Sequence, residues 1–294
     1  MKVALFLTCA LFWGIFAVDA YGDHRAPGIE DLNRAIAINP DAADAYYDRG
    51  TLWEKQGNLP KAISDFTQTI KIHPQDAGAY YSRGNAYAEQ DNFIQAIDDY
   101  NKAIDINSQD ATVYYNRGLA YDTQGKINLA ISDFTKAIKI NPDYIQAYHN
   151  RGLSWDKQGN LPKAMEDLNK SIELDPHLVE AYYNRGIIFD KQGKFLDAIN
   201  DFSKAIQLNP EYAQAFVNRG GVYVELDDLG QARFDFSRAL EINPKMAQAY
   251  KNRAIVYYQL KQYAKAWEDL RKAAALGYTV DPAFVHVIKK ALDR

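Results

Sequence analysis

The chain has 294 residues, 47% hydrophobic and 24% charged, with a formal net charge of −4. That composition excludes a disordered or collagen-like chain. The absence of a basic excess argues against an electrostatic nucleic-acid binder, which must displace counterions. A single Cys rules out an internal disulfide and any multi-cysteine metal site, while Tyr, at 21 residues, is the outlier.

In chain order, Met1-Lys2 precede sixteen uncharged residues, Val3 to Val18, and then Val18-Asp19-Ala20. A basic start, an apolar run and small residues before a cut after Ala20 read as a secretory signal peptide over residues 1–20. The run is short beside the ~20 apolar residues of a membrane span. An uncleaved membrane anchor and a buried helix are the other readings of the segment. Cys9 lies inside it, after Thr8 rather than a small residue, so it does not read as a lipoprotein site. Removal of residues 1–20 leaves no Cys, which suits an oxidising compartment. The expected location is therefore exported, periplasmic or secreted, with tethering by an uncleaved N-terminal segment as the alternative.

Beyond this segment one 34-residue phrase repeats without insertion or deletion. Seven windows cover 43–76, 77–110, 111–144, 145–178, 179–212, 213–246 and 247–280. Position 4 of the window is aromatic throughout (Tyr46 to Tyr250), and position 8 is Gly in six windows and Ala254 in the last. Position 11 is aromatic, position 20 is always Ala, and position 24 is large and apolar. Positions 4, 8 and 11 share one face of a helix, and positions 20, 24 and 27 share a face of a second. Gly57, Gly125, Gly159 and Gly193 between them suit a left-handed helix stop. Pro60 and Pro162 fit the first turn of the next helix. One such pair cannot hide its apolar face alone, whereas stacked pairs share a continuous core.

Gly28–Ala42 matches the second half of a window, so residues 21–42 read as an N-terminal half-repeat cap. Asp281-Pro282 followed by Phe284, Val287, Ile288 and Ala291 reads as a C-terminal capping helix over residues 281–294. KQGNLPKA occurs at Lys55–Ala62 and again at Lys157–Ala164, three windows apart, which suggests duplication of a block.

The period, the small residue at 8, Ala at 20 and Pro at 32 together resemble the tetratricopeptide repeat family. The resemblance implies an all-α, right-handed α-solenoid of antiparallel helix pairs with a concave inner face. Asp91, Asp227 and Lys261 stand where the inter-helix Gly is usual, and Ser108 and Tyr278 where Pro is usual. Looser or differently angled joints are expected there.

Two polar ladders run through the windows. Position 7 is always Arg (Arg49, Arg83, Arg117, Arg151, Arg185, Arg219, Arg253) and position 23 always Asp (Asp65, Asp99, Asp133, Asp167, Asp201, Asp235, Asp269), with Asp31 in the half-repeat. An anion-binding arginine stripe is one reading; matched Arg–Asp pairs between packed helices are the favoured one. The additional Asp31 suggests that each Asp serves the Arg of the following window. Position 6 reads Asp48, Ser82, Asn116, Asn150, Asn184, Asn218, Asn252. An Asn amide both donates and accepts, so five in a row could hold a peptide main chain. The row resembles the asparagine ladder in the tetratricopeptide superhelix of O-linked N-acetylglucosamine transferase. The competing reading is solvated or locally bonded Asn. Position 5 offers Tyr47, Tyr81, Tyr115, His149 and Tyr183, then Val217 and Lys251. These rings either furnish a contact surface or pack on the adjacent repeat.

At positions 2, 5, 9, 12 and 13 the acids are Asp44, Glu54, Glu89, Asp122, Asp156, Glu180, Asp190 and Glu225, and the bases Lys55, Lys157, Lys191 and Lys251. The groove should be mildly acidic and favour neutral to basic partners. Some family members clamp acidic C-termini with Lys and Arg at positions 2, 5 and 6, which here are mostly Tyr, Asn, Gln or acidic, so that activity is not expected. The five His show no metal-ligand spacing, and no phosphate loop or nucleophile turn is evident, so neither metal, cofactor nor enzymatic activity is expected. The expected function is that of a scaffold binding a protein or extended peptide in its groove. A self-assembling, homo-oligomeric envelope protein is the alternative.

Overall fold

The computed structural model describes residues 26–292, so the signal-peptide reading, its cut after Ala20 and Cys9 lie outside the described residues. Those residues form sixteen helices and no strand. A single helix, α1 (Ile29–Ile38), comes first. Seven pairs follow: α2 (Ala43–Lys55) with α3 (Leu59–Ile72), α4 (Ala77–Glu89) with α5 (Phe93–Ile106), α6 (Ala111–Thr123) with α7 (Ile127–Ile140), and α8 (Ile145–Lys157) with α9 (Leu161–Leu174). Then come α10 (Val179–Lys191) with α11 (Phe195–Leu208), α12 (Ala213–Glu225) with α13 (Leu229–Ile242), and α14 (Ala247–Gln259) with α15 (Tyr263–Ala275). The last helix is α16 (Pro282–Leu292).

Each pair packs closely on itself and then on the first helix of the next pair, giving an α-solenoid. Ala at position 20 is fully buried in all seven windows. The position 8 Gly has a specific steric reason. A Cβ on Gly118 would lie 2.7 Å from the Phe134 ring, and one on Gly50, Gly186 or Gly220 2.8 Å from its own position 24 ring. Where position 24 is Leu270, position 8 is Ala254, which is fully buried.

The turn inside each pair is a Schellman stop. Gly57 (φ 73°) sends its N–H to Glu54 O, and Asn58 sends its own to Trp53 O. Asp91, Asp227 and Lys261 adopt the same conformation, with φ of 59°, 58° and 57°. Asp91 and Asn92 repeat the two hydrogen bonds, to Ala88 O and Tyr87 O. The expected looser joints are therefore absent: an exposed non-Gly residue is held at positive φ by the two hydrogen bonds of the stop, between helices that pack on each other. Nor does Ser108 loosen its corner, because Asn107 Oδ1 accepts from Gln109 N at 3.1 Å, as Asn141 Oδ1 does from Asp143 N beside Pro142. At Tyr278 the helix is stopped by Gly277 (φ 87°) instead of Pro.

Consecutive first helices touch one another along the chain (α2 with α4, α4 with α6, and on to α12 with α14). Consecutive second helices show no comparable contact. The stack is therefore tighter on the first-helix side, which makes that side concave. At the ends, α1 packs on α2 and α16 on α15. In α16, Ile288 is fully buried, Phe284 lies 5.6 Å from the Tyr258 ring, and Val285 joins that cluster. Val287, expected on the same stripe, is 41% exposed, because the contact face is centred on 284, 285 and 288.

Candidate peptide-binding groove

The Arg–Asp residues lie between the helices of each pair. Every position 7 Arg takes the Asp of its own window bidentately: Arg117 Nε and Nη2 donate to Asp133 Oδ2 and Oδ1, both at 2.7 Å. The same two bonds recur in the other six windows. Asp serving the Arg of the following window is thus corrected. What crosses the joint is the third guanidinium nitrogen, Nη1, which donates back to position 25 of the preceding repeat. Those acceptors are Asn33, Thr67, Asn101, Thr135, Asn169, Ser203 and Ser237. The guanidinium also lies over the position 4 ring, as Arg49 does over Tyr46 at 5.5 Å. With its bidentate face filled by a buried carboxylate, none of these Arg can serve phosphate in the same geometry. Asp31 has no position 7 Arg in its own window; it accepts instead from Arg34, one turn on, and from Gly28 N at 3.0 Å.

On the concave side, positions 5 and 6 meet across each joint. Asn116 Nδ2 donates to Tyr81 Oη at 2.9 Å, Asn150 to Tyr115 at 2.8 Å and Asn218 to Tyr183 at 3.0 Å. Asn184 Nδ2 lies 2.9 Å from His149 Nε2, and Tyr47 Oη 3.2 Å from Ser82 Oγ. The two candidate rows therefore form a single set of rungs, each ring bonded to the amide or hydroxyl 35 residues on. The rings also pack: Tyr115 lies 5.8 Å from Phe134 and 4.9 Å from Tyr144, and Tyr183 6.0 Å from Phe202 and 4.9 Å from Tyr212. Burial pushes the phenols up, Tyr115 to about 12, so the tyrosine rungs stay neutral at physiological pH.

The rungs limit what each Asn has left for a ligand. Asn116 is buried and also donates to Asn85 Oδ1 at 3.1 Å, which uses both its N–H groups. Asn218 and Asn252 accept at Oδ1 from Gln214 and Gln248. Asn252 forms no rung, because Val217 stands at position 5 of the preceding window. Asn150 and Asn184, at the middle of the row, each keep a second N–H beyond the rung and an Oδ1 that no Gln occupies, whereas Asn218 keeps one N–H and Asn252 both. Lys251 closes the row at position 5.

The charges obey the same 35-residue register. Lys157 Nζ reaches Asp122 at 2.5 Å and Lys191 reaches Asp156 at 2.6 Å, linking position 12 of one window to position 13 of the next. The equivalent pairs elsewhere are Glu54 with Glu89 and Asp190 with Glu225, both of like charge. Burial, and then Glu89, push the Glu54 carboxyl up to about 7. Glu89 and Asp48 are raised by burial, and Asp190 by burial and then Glu225. The groove acids left without a lysine are Asp44, Glu54, Glu89, Glu180, Asp190 and Glu225, gathered toward windows 1–2 and 5–6. These cross-joint partners were missed from the sequence; a search at spacing 35, instead of 34, finds them.

Tetratricopeptide repeat models match the chain from residue 54 to 144 and from 157 to 246. A model described as TPR repeat covers 54–91, 84–125 and 157–193. Two described as tetratricopeptide repeat cover 111–144 and 179–212, and 213–246. The chain belongs to the tetratricopeptide repeat family. Among solved structures it resembles MamA (26% identity, 56% of this chain and 96% of that one, TM-score 0.53). It also resembles YrrB, described as a TPR protein with an unusual peptide-binding site (23% identity, 64% and 97%, TM-score 0.56). A tetratricopeptide repeat protein from Parabacteroides merdae matches over a longer span (20% identity, 85% and 97%, TM-score 0.64). No curated protein matches the chain.

Proposed function

We propose that this protein is an exported, non-enzymatic scaffold that binds an extended segment of another protein along its concave face. The observation that carries the reading is the amide and ring lining of that face, with Asn150 and Asn184 at its centre keeping N–H capacity beyond their rungs. An Asn with a free N–H can bond a peptide carbonyl whatever the neighbouring side chain. Tyr47, Tyr81, Tyr115, His149 and Tyr183 supply flat area beside it, while Asn116, with both N–H groups used, is left as an acceptor, and Asn218 and Asn252, whose Oδ1 atoms are taken by Gln214 and Gln248, extend the row of donors. Carboxylates without partners at both ends of the lining favour neutral to basic segments and oppose acidic ones. Export rests on the N-terminal pattern from Met1 to Ala20. A membrane contact, if there is one, is through that segment.

The test is a peptide array of basic, neutral and acidic 15-mers, followed by calorimetric titration of the best binder. An Asn150→Ala/Asn184→Ala protein with unchanged circular dichroism should bind that peptide at least about tenfold more weakly, the ~1.4 kcal/mol of one or two lost hydrogen bonds. Equal binding by the double variant, or selection of acidic peptides, removes the site assignment.

A further inference from the structure

His149 is the one imidazole in the rung series. It stands where Tyr47, Tyr81, Tyr115 and Tyr183 stand in their own windows, and its Nε2 lies 2.9 Å from Asn184 Nδ2. A phenol can answer either end of an amide, because its oxygen both donates and accepts. An imidazole nitrogen cannot. Facing an amide N–H, Nε2 must be the unprotonated acceptor, which puts the ring proton on Nδ1. When the imidazolium forms, Nε2 carries a proton too, and two donors confront each other. The amide can answer only by turning about its χ2 bond so that Oδ1 meets the ring.

We propose that protonation of His149 turns over the Asn184 side chain, so that this rung changes from offering a carbonyl acceptor and one N–H to offering both N–H groups at the middle of the concave face. The surroundings permit the turn. Window 4 has Leu168 and Leu178 where windows 3 and 5 have Phe134 and Phe202, and Tyr144 and Tyr212, against the ring. Branched aliphatic groups in those places present no aromatic face on which the imidazole could stack. The charge acting on His149 is that of Glu180, on α10, which favours the cation and whose backbone also bonds the ring. Asn150, on α8 itself, adds a weaker pull in the same direction. Neither α6, α7 nor α9 presents a charged group that acts on it. Burial outweighs these and holds the ring below the ordinary histidine range, so the turn occurs on the acid side of pH 6.5.

The inference goes beyond peptide binding and is measured on the free chain, so it stands or falls separately. In the isotopically labelled full chain, nitrogen-15 spectra follow the His149 ring nitrogens and the Asn184 side-chain amide from pH 8 to pH 4. The expected result is a through-hydrogen-bond coupling between Asn184 Nδ2 and His149 Nε2 at the alkaline end. That coupling is lost as Nε2 protonates, while the Asn184 amide signals move with the same midpoint and ring-to-α10 contacts persist. A His149→Tyr protein, which copies the residue of the neighbouring rungs, should show no movement of Asn184 over this range. The proposal is overturned if His149 protonates with the Asn184 amide unmoved, if the ring leaves α10 on protonation, or if Asn184 moves equally in the tyrosine variant.

Discussion

The first two repeats and the middle three share one backbone plan and differ on their inner face. Both regions carry the bidentate Arg–Asp pair, the fully buried Ala and the left-handed turn. On the concave side the middle repeats are laced by Asp122–Lys157 and Asp156–Lys191 and by amide rungs. The first two place Glu54 beside Glu89 and join Tyr47 to a serine. The difference teaches that structure and recognition are separated by position within the window. Positions 7, 8, 20, 23 and 24 hold the pair together, and positions 5, 6, 12 and 13 are free to vary in chemistry because only the joint and the solvent read them.

The largest expected effect should be the same in both regions. Asp99→Ala and Asp167→Ala each orphan a mostly buried guanidinium, and each should lower the unfolding free energy by about 3 kcal/mol in urea titrations. A loss in one region only would break the claim of a common scaffold. Gly84→Ala and Gly152→Ala should separate the regions. A Cβ at Gly84 meets the Tyr100 ring at 2.8 Å, whereas at Gly152 it meets Leu168 Cγ at 3.2 Å. The first should cost about 2 kcal/mol, and the second less than about 1 kcal/mol, since better helix propensity offsets the tighter contact.

Next come the inner carboxylates, whose effects should differ in sign. Glu54 has a folded-state value of about 7 against an ordinary 4.5, so the folded chain binds the extra proton between those limits. Stability from this group is full below the lower value and is lost as pH rises through the upper one. Glu54→Gln should therefore raise stability at pH 8 by about 1 kcal/mol, allowing for the part of the carboxyl that water screens, and leave it unchanged at pH 4. Asp122→Asn should lower it at pH 8 by about 0.5 kcal/mol, the worth of a half-exposed ion pair. Thermal melts at the two pH values check both. The turns give effects of the same size at any pH: Asp91→Gly should gain about 0.5 kcal/mol by relieving a positive φ, while Gly159→Ala should lose about 1 kcal/mol at the matching place. Equal and opposite shifts in melting temperature are not expected, because Asp tolerates this region better than Ala does.

The fold was legible in the sequence because a window without insertions repeats its own instructions: aromatic, glycine and alanine spacing mark two helix faces, and the turn residue marks the stop. Asp91, Asp227 and Lys261 were misjudged because local propensity was allowed to outrank the packing of two long helices. The groove was legible only as a set of positions. Which side chains touch across a joint depends on how far one helix pair is rotated against the next, and aligning windows at 34 conceals that offset. Positions 5 and 6 therefore read as two separate rows, whereas Tyr115 is bonded to Asn150. The same offset kept Lys157 from being matched to Asp122. Asp31 was misread for a related cause, since a half-repeat lacks the first helix that carries the position 7 Arg.

The backward reach of each Arg to position 25 of the preceding repeat has an evolutionary consequence. The acceptors there are Asn, Thr or Ser, all short and all able to present an oxygen. Any window placed after the half-repeat or after one of the first six windows thus finds its docking oxygen in place, whereas the last window, with Arg271 at position 25, is built to end the array. Unequal crossing-over between in-register copies would lengthen or shorten the array by whole units without leaving an unmatched seam, and the octapeptide shared by Lys55–Ala62 and Lys157–Ala164 is the kind of scar such an exchange leaves.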